Sequence, residues 1–153
     1  MRKALLTFVA LASLAEPAFA GKPLRSFTII VENLKCGGRD EWFDLAKLQI
    51  GAGIFPPGPA VIVGYQLWST FMSADSYVMV GKTQPYGDAI TEYLYGPART
   101  SMIFYPPGTG FPFDPAEAPP TGQLHIHYAC SPGDKAASFG VTLVYTLDSD
   151  PSF

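Results

Sequence analysis

Two histidines separated by one residue are the groups in this chain best suited to metal chemistry. His125 and His127 flank Ile126, and residues two apart in a β-strand project to the same side, so both imidazoles could reach one ion. Copper and zinc are the ions that imidazole suits. A metal site needs further ligands and the chain has no third histidine, so Asp or Glu would have to complete it.

The residues around this pair favour a simpler role for it. Strand alternation puts apolar and aromatic residues on the opposite side, and these are predicted to face the core: Leu124, Ile126, Tyr128 and Cys130. The two histidines would then face solvent or a neighbouring layer. We therefore favour two polar residues on a strand face, with a periplasmic copper or zinc protein as the alternative.

Catalytic groups show no recognisable arrangement. Asp40, Glu41 and Asp44 lie close in sequence, but one polar stretch is more typical of a solvated face or a helix start than of a general acid and base. No Gly-x-Ser-x-Gly elbow is present. We predict that the protein is not an enzyme and uses no cofactor. A secreted hydrolase with a concealed Ser-His-Asp triad is the remaining alternative.

The first twenty residues have the pattern of a cleaved export signal. A short basic start precedes an apolar run over residues 4–15, and a small-x-small sequence ends at Ala20. The run is too short to cross roughly 30 Å of hydrocarbon, and Glu16 interrupts the sequence after it. We expect cleavage before Gly21, a secreted or periplasmic product, and no membrane span.

Residues 21–153 are predicted to form a single domain, since chains of about 100 to 150 residues are the commonest domain size. This part carries eight Lys or Arg against twelve Asp or Glu, a net charge of −4. The charges are dispersed, and binding a phosphate backbone needs a clustered basic excess. Nucleic acid is therefore not an expected partner.

The two cysteines, Cys36 and Cys130, are predicted to form a disulfide because export delivers them to an oxidising compartment. A loop of this length could stabilise the fold by roughly 4 to 5 kcal/mol in the chain-entropy model. The bond would place the end of the first strand region beside a late strand. Two free thiols serving a metal or redox site are the alternative.

Alternating apolar and β-branched residues predict strands along most of the domain. In the run over residues 60–71, we expect one face to be shared by Val61, Val63, Tyr65 and Leu67. Turn residues separate the runs at intervals typical of an antiparallel β-sandwich of about seven or eight strands. The predicted runs are 24–34, 60–71, 76–80, 89–95, 99–105, 123–130 and 138–147.

One segment does not fit a regular strand. Trp42, Leu45 and Leu48 recur at helical spacing, and Asp40 could cap a first turn. We predict one short helix near residues 40–48, with an irregular strand entry as the alternative.

Two proline-rich connections carry the predicted binding residues. The segment from Tyr105 to Pro120 contains six prolines, so we expect a stiff, extended loop without a regular hydrogen-bond ladder. Phe111 and Phe113 either plug the end of the sandwich or bind a partner. Phe55 lies in a second stretch of similar composition. Loops of this length often bind something, so Tyr105, Phe111, Phe113 and Phe55 are our candidate contact residues.

These observations predict an exported, non-catalytic binding or structural domain. It would recognise a protein, a glycan or a sister subunit through the proline and aromatic loops, because rigid aromatic side chains provide contact area at a small entropic cost. The sequence leaves the oligomeric state open.

Overall fold

The computed structural model describes residues 6–8, 21–44, 49–50, 53–54, 56–82, 89–117 and 124–152. Those ranges contain antiparallel strands and no helix, and two of the sheets pack face to face, which confirms the predicted β-sandwich. The strands are β1 (Leu6–Phe8), β2 (Arg25–Lys35), β3 (Asp40–Asp44), β4 (Gln49–Ile50), β5 (Gly53–Ile54), β6 (Ala60–Ser69), β7 (Tyr77–Gly81), β8 (Leu94–Tyr95), β9 (Arg99–Phe104), β10 (Phe111–Phe113), β11 (His125–Ala129) and β12 (Lys135–Leu147).

The larger sheet has the order β1-β2-β12-β6, and both β9 and β10 pair with the far side of β6. The smaller sheet has the order β3-β11-β7-β8, and β4 pairs with β5 separately. Side chains from both sheets meet in one core, where Ile29 and Val141 of the larger sheet share a cluster with Val80 and Ile126 of the smaller one. No helix among the described residues is long and apolar enough to cross a membrane.

In β6, which corresponds to the predicted run 60–71, the sequence predicted part of the inward face wrongly. Tyr65 and Leu67 lie in the core cluster as expected, together with Ala60 and Ile62. Val61 and Val63 lie outside that cluster, although Val63 is also buried. The pairing with β12 shifts between Val144↔Gly64 and Tyr145↔Ile62, which leaves Val63 as an extra residue. A β-bulge of this kind exchanges the two faces of a strand at one point.

The short helix predicted near residues 40–48 is a strand over the part described. Asp40–Asp44 forms β3 and pairs antiparallel with β11, whereas residues 45–48 lie outside the described ranges. Helical spacing over so few residues is a weak preference, and ladder hydrogen bonds to a neighbouring strand outweigh it. The alternative of a strand entry is the one observed.

Part of the proline-rich segment after Tyr105 is also a strand and not an irregular excursion. Phe111–Phe113 forms β10, with Phe111 opposite Ile62 and Phe113 opposite Ala60. Pro112 is tolerated between them because a strand at the edge of a sheet need not donate hydrogen bonds on both sides.

Cys36 and Cys130 are joined by the predicted disulfide, with their Cα atoms 4.7 Å apart. Cys36 comes after the end of β2 in the larger sheet, and Cys130 comes after β11 in the smaller one. The bond therefore links the two layers of the sandwich at one end, and it fits an oxidising environment.

A buried carboxylate holds the loop between β6 and β7. Asp134 is 4% exposed and accepts hydrogen bonds from the backbone N–H groups of Met72 (2.9 Å) and Ser73 (3.1 Å), and from the hydroxyl of Ser76. Burial alone would raise the pKa of Asp134, but these hydrogen bonds outweigh burial and hold the pKa below its ordinary value.

The predicted export signal covers residues 1–20, of which residues 6–8 are described. They form β1 and pair antiparallel with the outer edge of β2. Cleavage before Gly21 stays a prediction.

Candidate functional site

The two histidines lie on the central part of the smaller sheet, on the face that points away from the core. β11 runs between β3 and β7, so that His125 is opposite Asp44 and His127 is opposite Trp42. Leu124 and Ile126 are fully buried in the core, as predicted from alternation.

Although they face outward, both histidines are covered. His125 is 2% exposed and His127 is 5% exposed. The indole of Trp42 stacks on the ring of His125 at 4.9 Å, and the two imidazole rings lie 5.9 Å apart. Met79 belongs to a small apolar cluster on the same sheet. The imidazoles are therefore not exposed to solvent, and the contacts described are with side chains of the same sheet.

Burial also changes the acid–base behaviour of the pair. Loss of hydration lowers the pKa of His127, and the neighbouring imidazole of His125 lowers it further, while Asp40 acts in the opposite direction. Within the described part of the chain, no group of three His, Cys, Asp or Glu residues could hold a metal ion. Metal binding by His125 and His127 stays a prediction.

Three tyrosines from neighbouring segments extend this outer surface of the smaller sheet. The ring of Tyr77 lies 5.3 Å from that of Tyr93 and 5.7 Å from that of Tyr95. The hydroxyl of Tyr77 donates to a carboxylate oxygen of Asp40 at 3.0 Å, which ties β7 to β3 across the sheet. These contacts connect β3, β7 and β8 along the outer surface of the smaller sheet.

The predicted contact residues of the proline-rich segment come together at one edge of the larger sheet, but most of their surface is covered. The rings of Tyr105 and Phe111 meet edge to face at 5.1 Å, and the hydroxyl of Tyr105 donates to the carbonyl of Ile90. Burial, with a smaller effect of Tyr65, raises the pKa of Tyr105 to about 12. These features indicate a packing role for Tyr105.

The other two predicted contact residues differ from each other. Phe113 lies in the core and is almost fully buried, so its ring is not on the surface in this structure. Phe55 falls outside the described residues. A binding role for the set Tyr105, Phe111, Phe113 and Phe55 stays a prediction.

The largest exposed apolar side chains of the larger sheet lie elsewhere, on its outer face. Met102 is 63% exposed and Phe104 is 52% exposed, both on β9. Trp68 projects from the same face of β6 and is half-buried. We call the surface formed by Trp68, Met102 and Phe104 the outer platform.

Two glycines allow the aromatic rings of the outer platform to lie flat on the sheet. Gly64 is opposite Phe104 and Gly140 is opposite Trp68. A Cβ atom added to Gly64 would lie 2.8 Å from the ring of Phe104, and one added to Gly140 would lie 2.0 Å from the indole nitrogen of Trp68. Each ring thus occupies the space that a side chain would take, and its other side is turned outward.

Sequence reasoning missed the outer platform. Met102 and Phe104 alternate along one predicted strand, which is a visible signal, but their position relative to Trp68 depends on the register of β9 on β6. The two glycines were not recognised because their role comes from cross-strand neighbours and not from a turn.

One shallow pocket of about 300 Å³ opens on the same outer face, near the other end of β6. Val61 and Val63 lie along it with Gly108 and Gly110, and its ionisable lining residues are Lys22 and Asp148. These two form an ion pair at 3.8 Å. Lys22 also donates to the carbonyl of Leu147, which indicates a structural role in attaching residue 22 to the end of β12.

In comparison with known proteins, the chain matches no family model and no curated protein. A solved structure titled "Cyanophage Pam1 capsid asymmetric unit" contains a chain that is similar, with 19% sequence identity over 92% of this chain and 97% of that one, and a TM-score of 0.36. A similarity of this extent carries no argument about fold or function.

Proposed function

We propose that this chain is an exported, non-catalytic domain that binds a protein through the outer platform. The observation that carries the proposal is that Met102 and Phe104, on a regular strand, are each more than half exposed. Large apolar side chains grouped on a surface are typical of interaction sites.

The construction of the outer platform supports a binding role. Phe104 and Trp68 are seated on glycines, so little side-chain entropy remains to be lost when a partner covers them. The residues between them in register are Gln66 and Thr142, which are polar and uncharged. An apolar and aromatic centre with few charges is the composition of the buried part of a protein interface.

A protein fits this surface better than a glycan does. Met102, the most exposed of the three platform side chains, is a flexible thioether that adapts to irregular apolar surfaces. Methionine and aromatic residues are both enriched at protein interfaces. Export is supported by the N-terminal pattern and by the disulfide between Cys36 and Cys130.

The proposal can be tested with an immobilised domain of residues 21–153. Extracytoplasmic proteins of the source organism are passed over the wild type, the double variant Met102→Ser/Phe104→Ser, and the control Met72→Ser. Met72 is 70% exposed in the loop after β6, so the control removes a similar exposed side chain outside the platform.

We expect the wild type and the control to retain the same protein, and the double variant to bind it at least about tenfold more weakly, because interface anchors contribute about 1 to 2 kcal/mol or more each. Circular dichroism should show that the wild type and both variants are folded. Equal retention by the three would contradict the proposal.

A further inference from the structure

The larger sheet has two edges, and one of them is occupied by the beginning of the chain itself. Leu6 is opposite Val31, Thr7 is opposite Ile30, and Phe8 is opposite Ile29, all in antiparallel pairing. The edge of β2 at residues 29–31 therefore accepts a short strand. If residues 1–20 are removed as predicted, this part of the edge loses that strand.

The opposite edge of the sheet is a strand with little of the usual protection against pairing. Among the described residues β9 pairs with β6 alone, and it contains no proline and a single charged residue, Arg99 at its first position. Ile103 is 39% exposed between Met102 and Phe104. Edge strands that remain unpaired in solution are commonly interrupted by proline, lysine or inward charges, so the composition of β9 suits a strand that is covered by a partner.

We infer that the uncovered β2 edge of one copy takes the β9 strand of a second copy, so that the larger sheet continues head to tail from copy to copy. This inference rests on the proposed function, because the strand that pairs is the one that carries Met102 and Phe104, and it names a second copy as the partner of that strand. It describes a heterologous contact, which generates a ring or an open chain of subunits.

The strand directions permit this contact without any rearrangement. β2 is antiparallel to β12, β12 to β6, and β6 to β9, so β2 and β9 run in opposite directions within one copy. A second copy placed beside the first in the same orientation would therefore bring its β9 antiparallel to β2, as β1 already is. The outer faces of both copies would stay on the same side.

The side chains favour one register over the next. Met102 and Phe104 must meet outward residues of β2, and these include Thr28, Ile30 and Glu32. Placing Met102 opposite Ile30 joins two apolar side chains and puts Phe104 opposite Thr28. A shift of two residues would place Met102 opposite the exposed carboxylate of Glu32, which is unfavourable.

The same register also extends the core. With Met102 opposite Ile30, Ile103 is opposite Ile29, which is buried in the core cluster. The exposed edge of β9 would thus be covered by the β2 strand of the next copy. Ile103 would gain an apolar neighbour that a contact with the outer face alone would not give it.

The inference can be tested with the domain of residues 21–153, whose core cluster is drawn from residues 29–147 and does not depend on the N-terminal segment. Sedimentation velocity is measured over a concentration series up to the order of 100 µM, where contacts with a Kd of about 100 µM are populated. Two interface variants are compared, Met102→Lys/Phe104→Lys on β9 and Ile30→Lys on β2. Ser26→Lys, an exposed substitution on β2 beyond the contact, is the matched control.

We expect the wild type and Ser26→Lys to form species that grow with concentration, and each interface variant to be monomeric. An equimolar mixture of the two interface variants should form a 1:1 dimer and nothing larger, because each such pair retains one intact β9 and one intact β2 edge. A peptide of residues 4–10 should reduce the size of the wild-type species by occupying the β2 edge.

A wild type that stays monomeric at every concentration overturns the inference, and so does a mixture that fails to dimerise. The proposed function would survive either result if the outer platform still captured a different protein in the retention experiment. A loss of platform-dependent retention together with monomeric behaviour would remove both.

Discussion

Replacement of Asp134 should show how strongly one buried carboxylate holds this sandwich together. Asp134→Ala removes the acceptor for the N–H groups of Met72 and Ser73 and for the hydroxyl of Ser76. The hydrogen bond from Ser76 is buried, and those from Met72 and Ser73 are part-buried. Asp134→Asn is the matched variant, because it keeps the size and one carbonyl oxygen and removes the charge.

The expected loss depends on the number of hydrogen bonds. A bond to a charged group contributes roughly 1.5 to 3 kcal/mol, and a buried donor left without an acceptor costs about 1 to 3 kcal/mol. Because the hydroxyl of Ser76 can rotate to another acceptor, we count mainly the two backbone donors of Met72 and Ser73. We expect Asp134→Ala to lower the free energy of unfolding by about 3 to 4 kcal/mol, and Asp134→Asn by about half as much.

Urea denaturation at pH 7, followed by tryptophan fluorescence, measures this loss, and a thermal melt should show a fall in Tm of roughly 10 to 15 °C for a domain of this size.

The pKa of Asp134 in the folded state lies below its ordinary value of 3.8. Its contribution is therefore complete above about pH 4 and is lost as the pH falls through the folded-state pKa. The difference in stability between the wild type and Asp134→Ala should narrow in acid. A loss below about 1 kcal/mol at pH 7 would refute this account of the hydrogen bonds.

Three further results are expected. Gly140→Ala should displace the indole of Trp68, which changes the tryptophan emission, and should lower the free energy of unfolding by about 1 to 3 kcal/mol. Unchanged emission and stability would contradict the contact between the indole and the glycine. Replacing Cys36 and Cys130 by alanine together should lower stability by up to about 4 to 5 kcal/mol, whereas reductant should leave the double variant unaffected. Since the folded pKa of His127 is below 6.5, the unfolded state takes up the proton first. Stability should therefore fall as the pH drops below 6.5, and His127→Gln should reduce that slope; an unchanged slope would count against burial as its cause.

Much of the fold could be predicted from local pattern, because strand alternation and the pairing of two cysteines can be inferred without knowing which strands lie side by side. Ile29 and Val31 are buried as their alternation predicted. The prediction failed where a long-range pairing outweighed a local preference. Trp42 at helical spacing is in a strand because β11 offers it a ladder, and Val63 lies off the core face because of a bulge against β12.

The candidate site was harder to predict than the fold. Alternation correctly placed His125 and His127 on the side away from the core, but it does not show whether a second layer covers that side. The outer platform depends on cross-strand pairs that no spacing along the chain reports, such as Phe104 with Gly64.

An all-β chain, a pattern typical of export and the pairing of Cys36 with Cys130 follow from local features, which are the alternation of neighbouring residues, the N-terminal composition and the presence of two cysteines. Which outward residues are covered, as His127 is, and which are exposed, as Met102 is, depends on the folded chain. Burial is set by the side chains packed around a residue, and these come from parts of the chain that are distant in sequence.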